Sequence, residues 1–344
     1  MSLRSFIESL CSPKCAGRAP GSAGGKAARA LVMEAFREAG LEPMQQPVPG
    51  CGGANVLAPL RGEEERWVLV TAHYDHLGRS GIHTFHGADD NAAAVAIMIE
   101  TARALRESPA SGRGVLFAAF DGEEPPYFFS EAMGSEYFAR NPTVPLDSID
   151  LMISMDLVGH AVGPEEAPAE VRQSVFAFGA ERSEGTAALV ERLGRAEPGV
   201  IVRRFDAETV PPLSDYWGFW RRQVPFLFLT NGRWRHYHTP QDTPDKLDYP
   251  KIEATARWLE RFVRATCARP PGRIRFREDV RDDASTLHSL IDLTEKLEVM
   301  SPMAGMARQS AEQLLARCDR SGRLPEAERN RLQMLVSRIE SGLA

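Results

Sequence analysis

The chain has 344 residues, 43% of them hydrophobic and 26% charged, with 41 basic against 47 acidic side chains and a formal charge of −6. That length and apolar content are enough to bury a full core, and the lack of a basic excess argues against nucleic acid or an anionic membrane surface as a partner. No stretch reaches the roughly 20 apolar residues of a membrane-spanning helix and none at the start reads as a signal segment, so the chain is expected to act in the cytoplasm.

Five cysteines (Cys11, Cys15, Cys51, Cys267, Cys318) are odd in number and scattered, which predicts isolated thiols rather than a disulfide framework. In chain order, the spacing predicts a helix over 26–39 ended by Gly40, and an edge strand over 55–60. The apolar run 67–72 reads as a buried strand that leads straight into His73-Tyr74-Asp75-His76. Gly87-Ala88-Asp89-Asp90-Asn91 then opens a long apolar helix over 92–105. A second buried run, 114–119, leads into Phe120-Asp121-Gly122-Glu123-Glu124, and a third, 151–155, ends in Asp156.

Strand 174–178, helix 185–193, strand 224–230 and helix 251–266 complete the pattern, with His236-Tyr237-His238 shortly after the last strand. Strands alternating with helices predict an α/β fold, a mostly parallel central sheet with helices on both faces. Ala268-Arg269-Pro270-Pro271-Gly272-Arg273 reads as a linker, dividing a catalytic domain over 1–270 from a helical C-terminal extension over 271–344. Three helices are expected there, carrying apolar stripes such as Leu287, Leu290, Ile291 and Leu297. Either the catalytic domain or a second copy of the chain, in a homodimer, must cover those stripes.

The paired acids Glu123 and Glu124 at a strand end suit metal-assisted hydrolysis, in which one acid faces a metal and the other the attacking water. In an open α/β sheet, ligands bind outside the carboxyl ends of the strands, so the histidines and acids at the other strand ends converge on the same crevice. A mixture of imidazole nitrogen and carboxylate oxygen suits zinc better than magnesium or calcium. The donors outnumber the three protein ligands of a single catalytic zinc, which points to two metals sharing a bridging carboxylate.

These residues, with Ala72-His73-Tyr74-Asp75-His76-Leu77-Gly78, Met155-Asp156, Tyr237-His238-Thr239-Pro240-Gln241-Asp242-Thr243 and the opening segment Ala16-Gly17-Arg18-Ala19-Pro20-Gly21-Ser22, resemble the M28 metallopeptidases over about residues 5 to 267. The resemblance implies two Zn2+ per chain, with His73 and Asp156 on one, Glu124 and His238 on the other, and Asp90 bridging. It further implies Asp75 as the acid that orients His73 and Glu123 as the general base acting on a water held between the metals. Tyr237 matches a tyrosine that hydrogen-bonds the tetrahedral intermediate.

The chain departs from that pattern at Pro125-Pro126-Tyr127-Phe128-Phe129, an aromatic loop after the paired acids that either lines the pocket or packs as a surface flap. Tyr216 stands where many relatives carry histidine, and with Trp217, Phe219 and Trp220 it forms either a pocket wall or a buried helix face. His76, His83, His86, His160 and His236 match no ligand position and are expected in loops or behind the ligands, with His288 on a helix surface. Gly21 to Lys26 lacks the spacing and the preceding strand of a phosphate loop, and no Gly-x-Ser-x-Gly elbow is present. An aminopeptidase acting on a peptide or aminoacyl substrate is therefore expected. A one-zinc glutaminyl cyclase, a dipeptidase or carboxypeptidase, and a non-catalytic binding module are the alternatives.

Overall fold

The computed structural model describes residues 1–344. Helices α1 (Leu3–Leu10) and α2 (Ala23–Glu38) open the chain, and strands β1 (Met44–Val48), β2 (Gly53–Leu60) and β3 (Glu64–His73) follow. A small hairpin of β4 (Arg79–Ser80) and β5 (His83–Thr84) precedes α3 (Ala93–Glu107), β6 (Arg113–Phe120), α4 (Gly134–Arg140) and β7 (Ile149–Met155). Next come α5 (Ala169–Arg172), β8 (Ser174–Phe178), α6 (Thr186–Leu193), β9 (Ile201–Phe205), α7 (Trp217–Trp220) and β10 (Phe226–Thr230). Four helices finish the chain: α8 (Tyr249–Cys267), α9 (Asp283–Leu297), α10 (Pro302–Leu315) and α11 (Glu326–Leu343).

Eight strands form one twisted sheet in the order β1-β2-β6-β3-β7-β10-β8-β9. The four central strands, β6, β3, β7 and β10, run parallel, so their carboxyl ends lie along one edge of the sheet. Alternation along each strand sends side chains to opposite faces. Val68, Val70 and Ala72 meet α2, α3 and α8 on one face, while Trp67 and Leu69 share the other with α4, α7 and the C-terminal helices.

Two edge strands were not legible. The expected edge strand over 55–60 lies one place in, because β1 pairs antiparallel with it, Met44 opposite Leu57. Pro47 and the polar pair Gln45 and Gln46 disguise β1, yet an edge is where a proline is tolerated in a sheet. At the far side β9 pairs with β8, with the charged Arg203 and Arg204 breaking its apolar run.

Three C-terminal helices are present as expected, and Leu287, Leu290, Leu314 and Leu335 belong to the same core cluster as Phe176 and Phe228, while Met303 and Met306 of α10 stay exposed. The segment joining them to the sheet is pinned. Arg113, fully buried, donates to the carbonyls of Cys267, Arg269, Pro270 and Gly272 and pairs with Asp150, whose other oxygen accepts from Ile274 N at 3.0 Å. No helix is long and apolar enough to cross a membrane, and all five cysteines are free thiols.

Candidate metal centre and substrate pocket

The carboxyl ends of the central strands deliver the predicted donors to one place. His73 is the last residue of β3, Glu123 and Glu124 follow β6, Asp156 follows β7, His238 lies in the loop after β10, and Asp90 immediately precedes α3. His73, Asp90, Glu123, Glu124 and Asp156 are buried and His238 is partly exposed. His73 Nε2 lies 3.3 Å from Asp90 Oδ1 and 3.4 Å from Asp156 Oδ1. His238 Nε2 lies 3.3 Å from Asp90 Oδ2 and 3.1 Å from Glu124 Oε2.

These spacings test whether the residues fit metal. Two donors each about 2.0–2.1 Å from a tetrahedral zinc stand about 3.3–3.4 Å apart. Three of the four distances meet that spacing and the fourth, His238 to Glu124, is 0.2 Å shorter, and Asp90 offers one oxygen to each set. Five buried or partly buried carboxylates and imidazoles at such distances also need a positive charge among them, since buried anions without one are costly. The residues fit a pair of zinc ions.

Surrounding groups hold the donors from behind. Asp75 accepts from Glu123 N and Glu124 N, each at 3.2 Å, and faces His73 Nδ1 at 3.6 Å, so one carboxylate positions both acids and the imidazole. Asp242 accepts from Asp89 N at 2.9 Å and Asp90 N at 3.1 Å, tying the His238 loop to Asp90. Asp89 turns away to accept from Gly159 N and from His160 Nδ1, which leaves Asp90 as the member of the doublet that faces His73 and His238. Arg18, wholly buried, donates to the carbonyls of Tyr74, His86, Gly87 and Asp90. The opening segment thus clamps the two loops that carry His73 and Asp90.

His76 comes closer to the centre than its loop position suggests. Its Nδ1 is 2.6 Å from Glu124 Oε1 and 3.9 Å from Asp90 Oδ2, and it forms a buried donor group with those two acids. The shorter distance is that of a hydrogen bond rather than of two ligands on one ion, whereas His238 keeps the ligand spacing to both acids. His76 therefore orients Glu124. His86 bonds the carbonyl of Cys11, and His236 packs edge-on against Trp234.

Burial and charge separate the acids. Burial, reinforced by the charges of Asp156, Asp215 and Glu124 and opposed by His73, holds Glu123 well above the usual carboxylate range. Burial also raises Asp156. For Asp90, burial favours the neutral acid, but hydrogen bonds from His238 and His73 outweigh it and hold the group well below its ordinary value. At His238 the bonds to Asp90 and Glu124 overcome burial and push the imidazole up to about 10. Tyr237 stacks on His238 with ring centroids 3.8 Å apart, and burial beside the acids raises its hydroxyl.

A cavity of about 350 Å³ opens directly onto Asp90, Glu123, Glu124, Asp156, Tyr237 and His238. Of the aromatics predicted to line it, Phe128 does. Tyr216 does not: it is buried in the core, stacked on Phe226 and Phe228, with its hydroxyl accepting from Leu213 N. Trp217 and Trp220 line a separate surface depression with Arg182 and Glu208, because the single turn of α7 turns them away from the metal centre. Phe129 is exposed and stacks on Phe128, and Tyr127 lies in the turn behind it, so neither reaches the cavity.

Sequence reasoning missed three groups. Arg18 and Asp242 lay inside quoted motifs without a role. Asp215 is fully buried, and burial pushes it up to about 7. Its signal is the acid in Ser214-Asp215-Tyr216, next to the tyrosine that replaces a histidine of many relatives.

A mostly parallel sheet carrying a zinc-type donor set at its carboxyl edge is the architecture of zinc-dependent exopeptidases, and one from Parabacteroides distasonis superposes with a TM-score of 0.60 at 18% identity, 76% of this chain covering 96% of that one. The profile of Peptidase family M28 matches residues 55–263, and the chain belongs to that family. Uncharacterized protein YfbL of Escherichia coli (strain K12) is 28% identical over 250 residues, spanning 64% of this chain and 74% of that one. Glutaminyl-peptide cyclotransferase of Drosophila melanogaster is 27% identical over 230 residues, and the match spans 61% of this chain and 64% of the cyclotransferase, just under two thirds of its length. Family and fold together support zinc as the metal.

Proposed function

We propose that this chain is a di-zinc aminopeptidase. The observation that carries the reading is the pair of donor sets that share Asp90, each at the separation of two ligands on one zinc. His73 and Asp156 would hold one ion, Glu124 and His238 the other, and Asp90 both. When bound, the metals supply Lewis-acid polarisation of the scissile carbonyl and make water acidic enough to attack near neutral pH.

The chain's own groups then move the proton. Glu123 Oε2 lies 3.8 Å from His73 Nε2, beside both donor sets but on neither. Its place in the cavity, next to the donor sets, suits it to take a proton from the attacking water and to deliver it to the leaving amine. Asp75 holds Glu123 and Glu124 by their backbone and keeps His73 in place. Tyr237, in the same cavity with a hydroxyl that stays protonated, is placed to donate to the oxyanion as the carbonyl becomes tetrahedral.

A second reading, glutaminyl cyclisation, draws on the likeness to the cyclotransferase. Metal analysis of the purified protein separates the two, together with assays on free and N-acetylated peptides and on an N-terminal glutamine peptide. Two zincs per chain and cleavage of the free peptide alone support the aminopeptidase. One zinc with ammonia released from the glutamine peptide would replace it with the cyclase, and equal cleavage of free and acetylated peptides would remove the requirement for a free amine.

A further inference from the structure

We propose that helices α9 and α11 complete the substrate pocket, and that this pocket receives a large aliphatic or aromatic side chain on the residue whose carbonyl is attacked; this rests on the peptidase reading above. The cavity that begins at Glu123 and Asp156 continues over the aromatic floor of Phe178 and Phe228 and is closed by Leu290 and Leu293 of α9 and Val336 and Leu343 of α11. Both helices lie beyond residue 263, where the family match ends. Part of the wall around a family metal centre is therefore supplied by this chain's own extension.

The helices are fixed, not draped. Thr286 Oγ1 accepts from Asp206 N at 2.8 Å and Ser289 Oγ donates to Arg204 O at 2.7 Å, joining α9 to the end of β9. Arg329 pairs with Glu208 at 2.9 Å and Gln333 donates to the Glu208 carbonyl at 3.1 Å, holding α11 to the segment that leads into Val210 and Leu213 at the cavity. A volume of about 350 Å³ equals the share of roughly a dozen waters, more than a small side chain displaces. Away from the metal centre, the charged groups at the cavity are Arg233, which is exposed, and Glu340, which is partly exposed. A polar side chain reaching inward would lose its hydrogen bonds against Phe178, Phe228 and the leucines, which disfavours glutamine and favours hydrocarbon.

The test uses the metal-loaded full chain. Amides of alanine, leucine and phenylalanine are compared by kcat/KM, and propylamine through heptylamine are titrated by calorimetry. Transfer of each methylene into an apolar wall strengthens binding roughly fourfold, so leucine amide should exceed alanine amide by roughly 50-fold and amine affinity should climb with chain length. Ile339→Trp and Leu343→Trp fill the pocket from its partly exposed margin. Each should flatten the amine series and cut the leucine preference, chiefly through KM, to about fivefold.

Thermal melts of both variants guard against a misfolded one. Hydrolysis with no preference for leucine and a flat amine series would overturn the pocket and leave the peptidase reading standing. A climbing amine series that either variant flattens, in a protein that cleaves no amide, would uphold the pocket and remove the peptidase reading instead.

Discussion

At one end of the cavity His73, Asp90, Glu123, Glu124 and Asp156 are held by buried polar groups, chiefly Asp75, Asp242 and Arg18; at the other, apolar side chains from β8, β10, α9 and α11 meet with almost no polar contact among them. The metal end specifies positions because hydrogen bonds with fixed geometry tie the segments that carry Asp90, Glu123 and Glu124. The apolar end specifies only shape and dryness, which hydrophobic contacts supply without direction. Chemistry and selectivity are thereby built by different physics and should fail separately.

The largest effect is expected from removing the metals. Dialysis against a chelator should abolish hydrolysis and lower the melting temperature, because the acids of both donor sets then repel one another in a buried site; readdition of zinc should restore both. Turnover that survives chelation would contradict the assignment of both donor sets. Glu123→Gln comes next: it should keep its zinc and its affinity for alkylamines while kcat falls by about 10²–10⁴-fold. An unchanged kcat would take the proton-transfer role away from Glu123.

A smaller effect is expected one layer back. Asp242→Ala strips two backbone N–H groups of Asp89 and Asp90 of their acceptor, and should weaken zinc binding roughly 10–100-fold with little change in preference between leucine and alanine amides. A competitive zinc titration reads it. Loss of side-chain preference at unchanged metal affinity would show that the two ends are not separable.

How much of this was legible follows the same division. His73, Glu123, Glu124 and Asp156 could be read because each sits at the end of an apolar run, where local pattern places it on one sheet edge, whereas the choice of Asp90 within its doublet and of His238 in the loop after β10 came from the resemblance to the M28 metallopeptidases. Tyr216 and Trp217 could be read only as either pocket wall or buried helix face, because whether an aromatic on a short helix faces a core or a pocket depends on rotation about α7, which its single turn does not encode. Leu290 and the other residues of the helix stripes were legible as such but not as pocket wall. What they cover is set by strands distant in the sequence, and β9, whose end anchors α9, was itself hidden by Arg203 and Arg204.

Behind the metal end lies a pH-dependent term. Lys251 is buried, donates to the His160 carbonyl at 3.0 Å, and burial lowers it from 10.5 to about 7 against the pull of Asp248 and Asp89. Between those values the unfolded chain carries a proton that the folded one lacks, so this group's contribution to stability is full above its ordinary value and is lost as pH falls through about 7. Denaturant unfolding from pH 9 to pH 6 should therefore cost the native protein more stability than Lys251→Met, by on the order of 1–4 kcal/mol, with turnover at pH 8 unaffected. Parallel pH curves for the two would mean that Lys251 stays charged in the fold.

The smallest effect sharpens the boundary of the apolar end. Trp217 and Phe128 both flank Phe129, but only Phe128 reaches the cavity, since α7 turns Trp217 toward Arg182 and Glu208. Trp217→Ala should leave kcat/KM for leucine amide within about twofold, whereas Phe128→Ala removes apolar contact area beside Pro125 and Glu124 and should lower it roughly fivefold. Equal losses in the two variants would mean that the aromatic loop acts as one unit, with Phe129 transmitting the position of Trp217 to Phe128. A loss in Trp217→Ala alone would place the side-chain pocket on the α7 side of the loop, and the wall built by α9 and α11 would then serve the fold rather than the substrate.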